Sequence, residues 1–177
     1  MVAIKTLLWS IFVPTTVTII IPYFTLSTRL NLLRLHPSKF RFFGILPIVI
    51  GVAIYAWSAW DFTFVGKGTP APFDPPKQLV VTGPYHYLRN PIYTFVVLVL
   101  LGEAIFFEST ALLVYAALVF SFLHLWLVLY EEAGLKRRFG KSYETYCETV
   151  SRWIPKKNKT RNAMTRFSTC LVRRRVL

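Results

Sequence analysis

The chain reads as an all-α, polytopic membrane bundle of about four transmembrane helices, followed by an amphipathic helix at the membrane interface. Two observations carry this. More than half of the 177 residues are apolar and the mean hydropathy is positive, a balance soluble domains seldom reach. The apolar residues also fall into four stretches, Thr6 to Phe24, Phe42 to Val65, Ile92 to Phe107 and Thr110 to Tyr130, each near the roughly 20 residues that cross hydrocarbon.

The first stretch reads as a retained helix, because Lys5 is its one early charge and no small-residue cleavage site precedes the polar loop. The loop that follows, Thr25 to Arg41, carries Arg29, Arg34, Lys39 and Arg41. After the second stretch comes a shaped segment. Gly66 to Pro91 holds Pro70, Pro72, Pro75, Pro76, Pro84 and Pro91, too many missing N–H donors for a continuous helix. Leu79 to Thr82 reads as a short extended piece before the turn at Gly83-Pro84, and Pro91 suits the first turn of the third helix. Gly66-Lys67-Gly68 does not continue into a phosphate-binding glycine loop, so a Rossmann domain is unsupported.

The third stretch contains Glu103 and ends at Glu108. A carboxylate at that depth is expected to face the bundle and find a polar partner, His124 of the fourth stretch being the candidate. Beyond Tyr130, Leu135, Phe139, Tyr143, Tyr146, Val150 and Trp153 recur in steps of three and four with Lys and Arg between them, the period of an amphipathic helix. Its aromatic face is expected against lipid or against the proline-rich loop. Lys156 to Leu177 then carries eight Lys or Arg and no acid. Just beyond a last span, such a tail marks a cytoplasmic face on anionic headgroups rather than a nucleic-acid contact. The expected divisions are 1–41 (first span and basic loop), 42–155 (functional core) and 156–177 (basic cytoplasmic tail). With four crossings, the proline-rich loop and everything after Tyr130 lie on that same side. Cys147 and Cys170 form no disulfide framework and no metal-site spacing, so no metal is expected.

Two segments concentrate chemistry at the membrane boundary. Gly83-Pro84-Tyr85-His86-Tyr87-Leu88-Arg89-Asn90-Pro91-Ile92-Tyr93 gathers a His, an Arg and three Tyr where a loop enters the membrane. An aromatic belt with a snorkelling Arg is the plain reading, and an anion or aromatic-ligand site the functional one. Glu131 and Glu132 follow the last span directly. They suit ribose hydroxyls or an ammonium group, or simply an ion pair between Glu132 and Lys136 on one helix face.

In order along the chain, Gly66 to Pro76, Leu79-Val80-Val81-Thr82-Gly83-Pro84-Tyr85, Arg89-Asn90-Pro91-Ile92-Tyr93, Tyr130-Glu131-Glu132, Arg138-Phe139-Gly140 and Arg152-Trp153-Ile154-Pro155 form a pattern. It resembles the isoprenylcysteine carboxyl methyltransferase family, within a superfamily that includes phospholipid and small-thiol methyltransferases. The resemblance covers roughly Gly44 to Pro155 and leans to the prokaryotic branch. Asn90 stands where the eukaryotic prenyl-protein enzymes have His.

The resemblance implies an S-adenosyl-L-methionine-dependent methyltransferase with a lipophilic or small-molecule acceptor and its site on the cytoplasmic face. The membrane is a plasma membrane if the source is bacterial, endoplasmic reticulum if eukaryotic. By position, Tyr85, His86, Tyr87, Leu88, Arg89, Asn90, Pro91, Tyr93, Glu131 and Glu132 would line the cofactor site, with Arg89, His86 and Tyr93 as the catalytic candidates. The alternative is a non-enzymatic scaffold or transporter subunit that binds lipids or partners through the basic tail.

Overall fold

A computed structural model describes residues 12–27, 39–64 and 79–155. The start of the first apolar stretch, the first half of the proline-rich loop, most of the first basic loop and the basic tail lie outside the described residues. Those that are described are mostly helical, with one isolated bridge between Leu88 and Ser151 and no strand among them. The helices are α1 (Phe12–Ser27), α2 (Ile45–Phe64), α3 (Pro91–Phe106), α4 (Thr110–Phe139) and α5 (Lys141–Thr149).

Local sequence shapes the helices and their starts. In α1 the backbone widens to a π-helical turn over Thr16–Ile20, beside Pro22, whose missing N–H and ring disfavour regular α-geometry. A 3₁₀ segment, Lys39–Gly44, leads into α2. Pro91 opens α3 with its fixed φ and absent donor. Ser109 caps α4 by accepting from the Leu112 amide at 3.3 Å.

The core gathers Phe95, Val96, Val99, Leu100 and Ala116, with Val17, Tyr55 and Tyr115 packed against it. Four helices contribute and α3 supplies most of the buried side chains. Close packing of α2 on α3 depends on Gly44 and Gly102: a Cβ on either would overlap the other's carbonyl region.

The outward faces are apolar too. Leu46, Trp60, Leu118, Phe122 and Leu129 are more than half exposed. Lys39–Asp61 and Thr110–Phe139 are each long and apolar enough to cross a membrane, and only 17% of each apolar window is buried. A helix from a soluble core would be buried; these expose hydrocarbon-like surface that water does not tolerate at this extent. Phe12–Ser27 and Pro91–Phe106 are shorter apolar helices.

Two expectations change. The amphipathic helix expected from Leu135 to Trp153 is interrupted at Gly140, whose φ of 51° and ψ of −130° end α4 and restart the chain as α5. Val150 is already extended, so Trp153 lies beyond the helix. The apolar side survives the break: Tyr143, Tyr146 and Val150 are buried against Leu79, Val81, Leu135 and Phe139. Glu103 is not paired with His124. The turn at Phe107–Ser109 makes α3 and α4 antiparallel, so Glu103 sits level with Tyr115, and His124 lies more than two turns further along.

Candidate functional site

The site forms at the end of the bundle where α2 finishes, α3 begins and α4 runs out of its apolar stretch. Its approach is shaped by Gly83, which has φ +53° and would place any Cβ on the Asp61 carboxylate and the Trp57 indole. Asp61 is buried at 8% exposure and accepts from the Thr82 hydroxyl at 3.3 Å. The chain then makes a 3₁₀ turn over Gly83–His86. Tyr146 of α5 donates its hydroxyl to the Tyr85 carbonyl at 2.6 Å, and the Arg89 amide donates to the Ser151 carbonyl at 2.9 Å. The 79–90 segment is therefore stitched to the C-terminal segment from both sides.

Leu127–Glu131 of α4 is a π-helical turn. The extra residue per turn rotates the following side chains relative to the lipid-facing stripe, and both glutamates turn to the site. Glu131 accepts from the Tyr93 hydroxyl at 2.5 Å. Glu132, 11% exposed at its side chain, accepts from Arg89 Nη1 at 3.2 Å and from Arg152 Nε and Nη2 at 2.8 and 2.9 Å. The Arg152 contact is a bidentate fork on a carboxylate, the strongest geometry available to this pair. Its hydrogen bonds to Glu132 hold the Arg152 guanidinium above its ordinary pKa. Lys136 is not the partner of Glu132.

Arg89 Nη1 also donates to the Cys147 thiol at 3.1 Å. A cleft of about 320 Å³ opens here, lined by Arg89, Cys147, Arg152 and Trp153 among others. Burial pushes the phenols of Tyr85, Tyr143 and Tyr146 well above the usual tyrosine range, so they remain protonated donors at neutral pH.

Of the ten residues expected to line the site, the structure joins Arg89 to Glu132 and Tyr93 to Glu131. Leu88 and Pro91 are buried and serve packing, with Leu88 bridged to Ser151. His86 contacts the Tyr87 ring edge-to-face at 5.2 Å, and Tyr87 is half exposed. At the site two buried side-chain donors, Asn90 Nδ2 and Arg89 Nε, have no partner among the described residues. A buried donor without an acceptor costs free energy unless a ligand supplies one.

Sequence reasoning did not assign Arg152, Cys147 or Asp61. Asp61 carried a usable signal, an acid near the end of an apolar stretch. Arg152 sits in the Arg-Trp-Ile-Pro block, but 20 residues of chain separate it from Glu132 and no local spacing reveals their pairing.

No curated protein matches the chain. A family model described as phospholipid methyltransferase matches residues 40–142. That span is more than half of the 177 residues and includes Asp61, the whole 83–93 block, Tyr93 and both glutamates. With a helical bundle whose outer faces suit lipid and a polar cluster at one of its ends, the chain belongs to the phospholipid methyltransferase family.

Proposed function

We propose that the protein is an integral membrane methyltransferase that uses S-adenosyl-L-methionine and methylates a lipophilic or small acceptor, in the manner of the prenylcysteine carboxyl enzymes it resembles. The observation that carries this reading is the pair of unpaired buried donors, Asn90 Nδ2 and Arg89 Nε, beside the Arg89–Glu132–Arg152 cluster. Donors aimed at nothing within the protein suit the carboxylate of an amino-acid cofactor, and the residual acceptor capacity of Glu131 suits ribose hydroxyls or an ammonium group. The residues present therefore fit the group.

When bound, S-adenosyl-L-methionine supplies an electrophilic methyl for in-line transfer to oxygen, nitrogen or sulfur. The chain's own part is alignment and exclusion of water. Glu132 fixes the Arg89 guanidinium, Tyr93 orients Glu131, and Tyr146 fixes the turn that carries His86. His86 is the candidate base for an acceptor that arrives protonated. In this reading α1 to α4 all span, 42–155 is the catalytic core, and the segment after Glu132 rests at the cytoplasmic interface with the basic tail on anionic lipid.

The test is calorimetric titration of S-adenosyl-L-methionine into detergent-purified protein, with Arg89→Ala and Asn90→Ala. Saturable binding by wild type and loss of about tenfold or more in each variant are expected. Asn90→Ala removes no described side-chain hydrogen bond, so a folded variant that loses binding separates the ligand role from stability. A well-folded wild type that binds nothing would sink the assignment and leave the scaffold reading.

A further inference from the structure

His124 is the one imidazole between Thr110 and Tyr130 of α4. Phe122 and Leu125, its near neighbours, are 64% and 57% exposed, whereas His124 itself is half-buried. Its Nδ1 accepts from Trp153 Nε1 at 3.2 Å. An imidazole that accepts at Nδ1 is neutral and carries its proton on Nε2. Among the described residues, the Trp153 bond is the one hydrogen bond the His124 side chain makes. Nε2–H is therefore a donor with its tautomer fixed, on the far edge of the ring from Trp153.

Its position gives that donor a use. Trp153, which His124 contacts, lines the same cleft as Arg89 and Arg152. Seven residues separate His124 from Glu131, two turns or about 10 Å toward the membrane interior. Phe120 stacks on His124 and contacts Trp153 with ring centroids 5.0 Å apart, which holds both rings. A hydrocarbon chain lying along exposed α4 would bring its polar head to this edge.

We propose that His124 holds the head of the lipophilic acceptor, donating from Nε2–H to an anionic oxygen, either a carboxylate or a phosphodiester. The proposal rests on the methyltransferase reading and adds a second binding site to it. The carboxylate of a prenylated cysteine and the phosphate of a phospholipid share the chemistry, and the test distinguishes them.

Two isosteres separate this role from a structural one. In His124→Asn the amide oxygen stands at the δ position and keeps an acceptor for Trp153 while removing the outer donor. In His124→Gln the amide nitrogen stands at the ε position and keeps the donor while losing the Trp153 acceptor. Full-chain protein in detergent is titrated with N-acetyl-S-farnesylcysteine and, separately, with dihexanoyl phosphatidylethanolamine.

Wild type is expected to bind one of these, His124→Asn to bind it about tenfold more weakly, and His124→Gln to stay within about threefold. S-adenosyl-L-methionine binding is expected to be unchanged in both. The reverse order, with Gln impaired and Asn intact, would show that His124 acts by holding Trp153 and overturn the proposal. So would equal binding by all three proteins, or a wild type that binds the cofactor and neither lipid. A wild type that binds lipid through His124 but not S-adenosyl-L-methionine would sink the cofactor reading alone.

Discussion

Glu132 shows how much one side chain organises. It joins a residue from the loop before α3, a residue from the segment after α5 and its own helix, through three charge-assisted hydrogen bonds. Removing its charge leaves two guanidiniums facing each other with a neutral partner. Glu132→Gln is expected to lower stability by about 2 kcal/mol, below the roughly 3–5 kcal/mol of a fully buried broken pair because Arg152 is about a third exposed. Thermal unfolding in detergent measures it, and a variant as stable as wild type would contradict the geometry. Tyr146 makes a cleaner case. Tyr146→Phe removes only the hydroxyl and its bond to the Tyr85 carbonyl, at an expected cost of about 1–3 kcal/mol. If instead the phenylalanine variant unfolds with wild type, the 79–90 segment is held by packing and not by that bond.

At the scale of elements, α4 does two jobs that its sequence combines in 30 residues. Its first half is a membrane-type helix, and its last turns carry a charged end that must point inward. The π-helical turn at Leu127–Glu131 reconciles the two by shifting the angular register where the apolar stripe stops. Gly140 then lets the chain reverse at φ +51°, a conformation that side chains resist. Gly140→Ala has open space around its Cβ, so its effect should be conformational alone, about 1–3 kcal/mol of destabilisation. Gly83→Ala should be worse, because strain and overlap with Asp61 coincide. Near-equal unfolding midpoints for the two alanine variants would argue against the Asp61 contact as the constraint on that turn.

For the molecule as a whole, the site and the Lys39–Gly44 segment occupy opposite ends of the bundle, since Gly44 packs against Gly102 and Phe106 at the far end of α3. A four-span arrangement then requires the two ends to face opposite aqueous compartments. In sealed vesicles of a Cys-free variant, single cysteines at Phe40 and Lys141 should react with a membrane-impermeant maleimide from opposite sides. Labelling of both from one side would overturn the topology. The helical class, the apolar stretches and the two polar segments that bound them were legible in the sequence, because bilayer-length hydrophobic runs and their polar boundaries are local patterns. So was Pro91 at the head of α3, since proline's constraint acts on its own residue. The break at Gly140 was not, because the apolar period continues across it unchanged and only the backbone angle differs. Nor were the partners of Glu132 and His124. The pattern offered Lys136 and Glu103, near in sequence or alike in depth, whereas antiparallel packing and the return of residues 150–155 supplied Arg89 with Arg152 and Trp153. Local sequence determined which segments are apolar enough for lipid and which polar segments bound them. Tertiary structure alone decided which charges meet, because pairing between segments 20 to 43 residues apart depends on how the helices pack and not on any spacing along the chain.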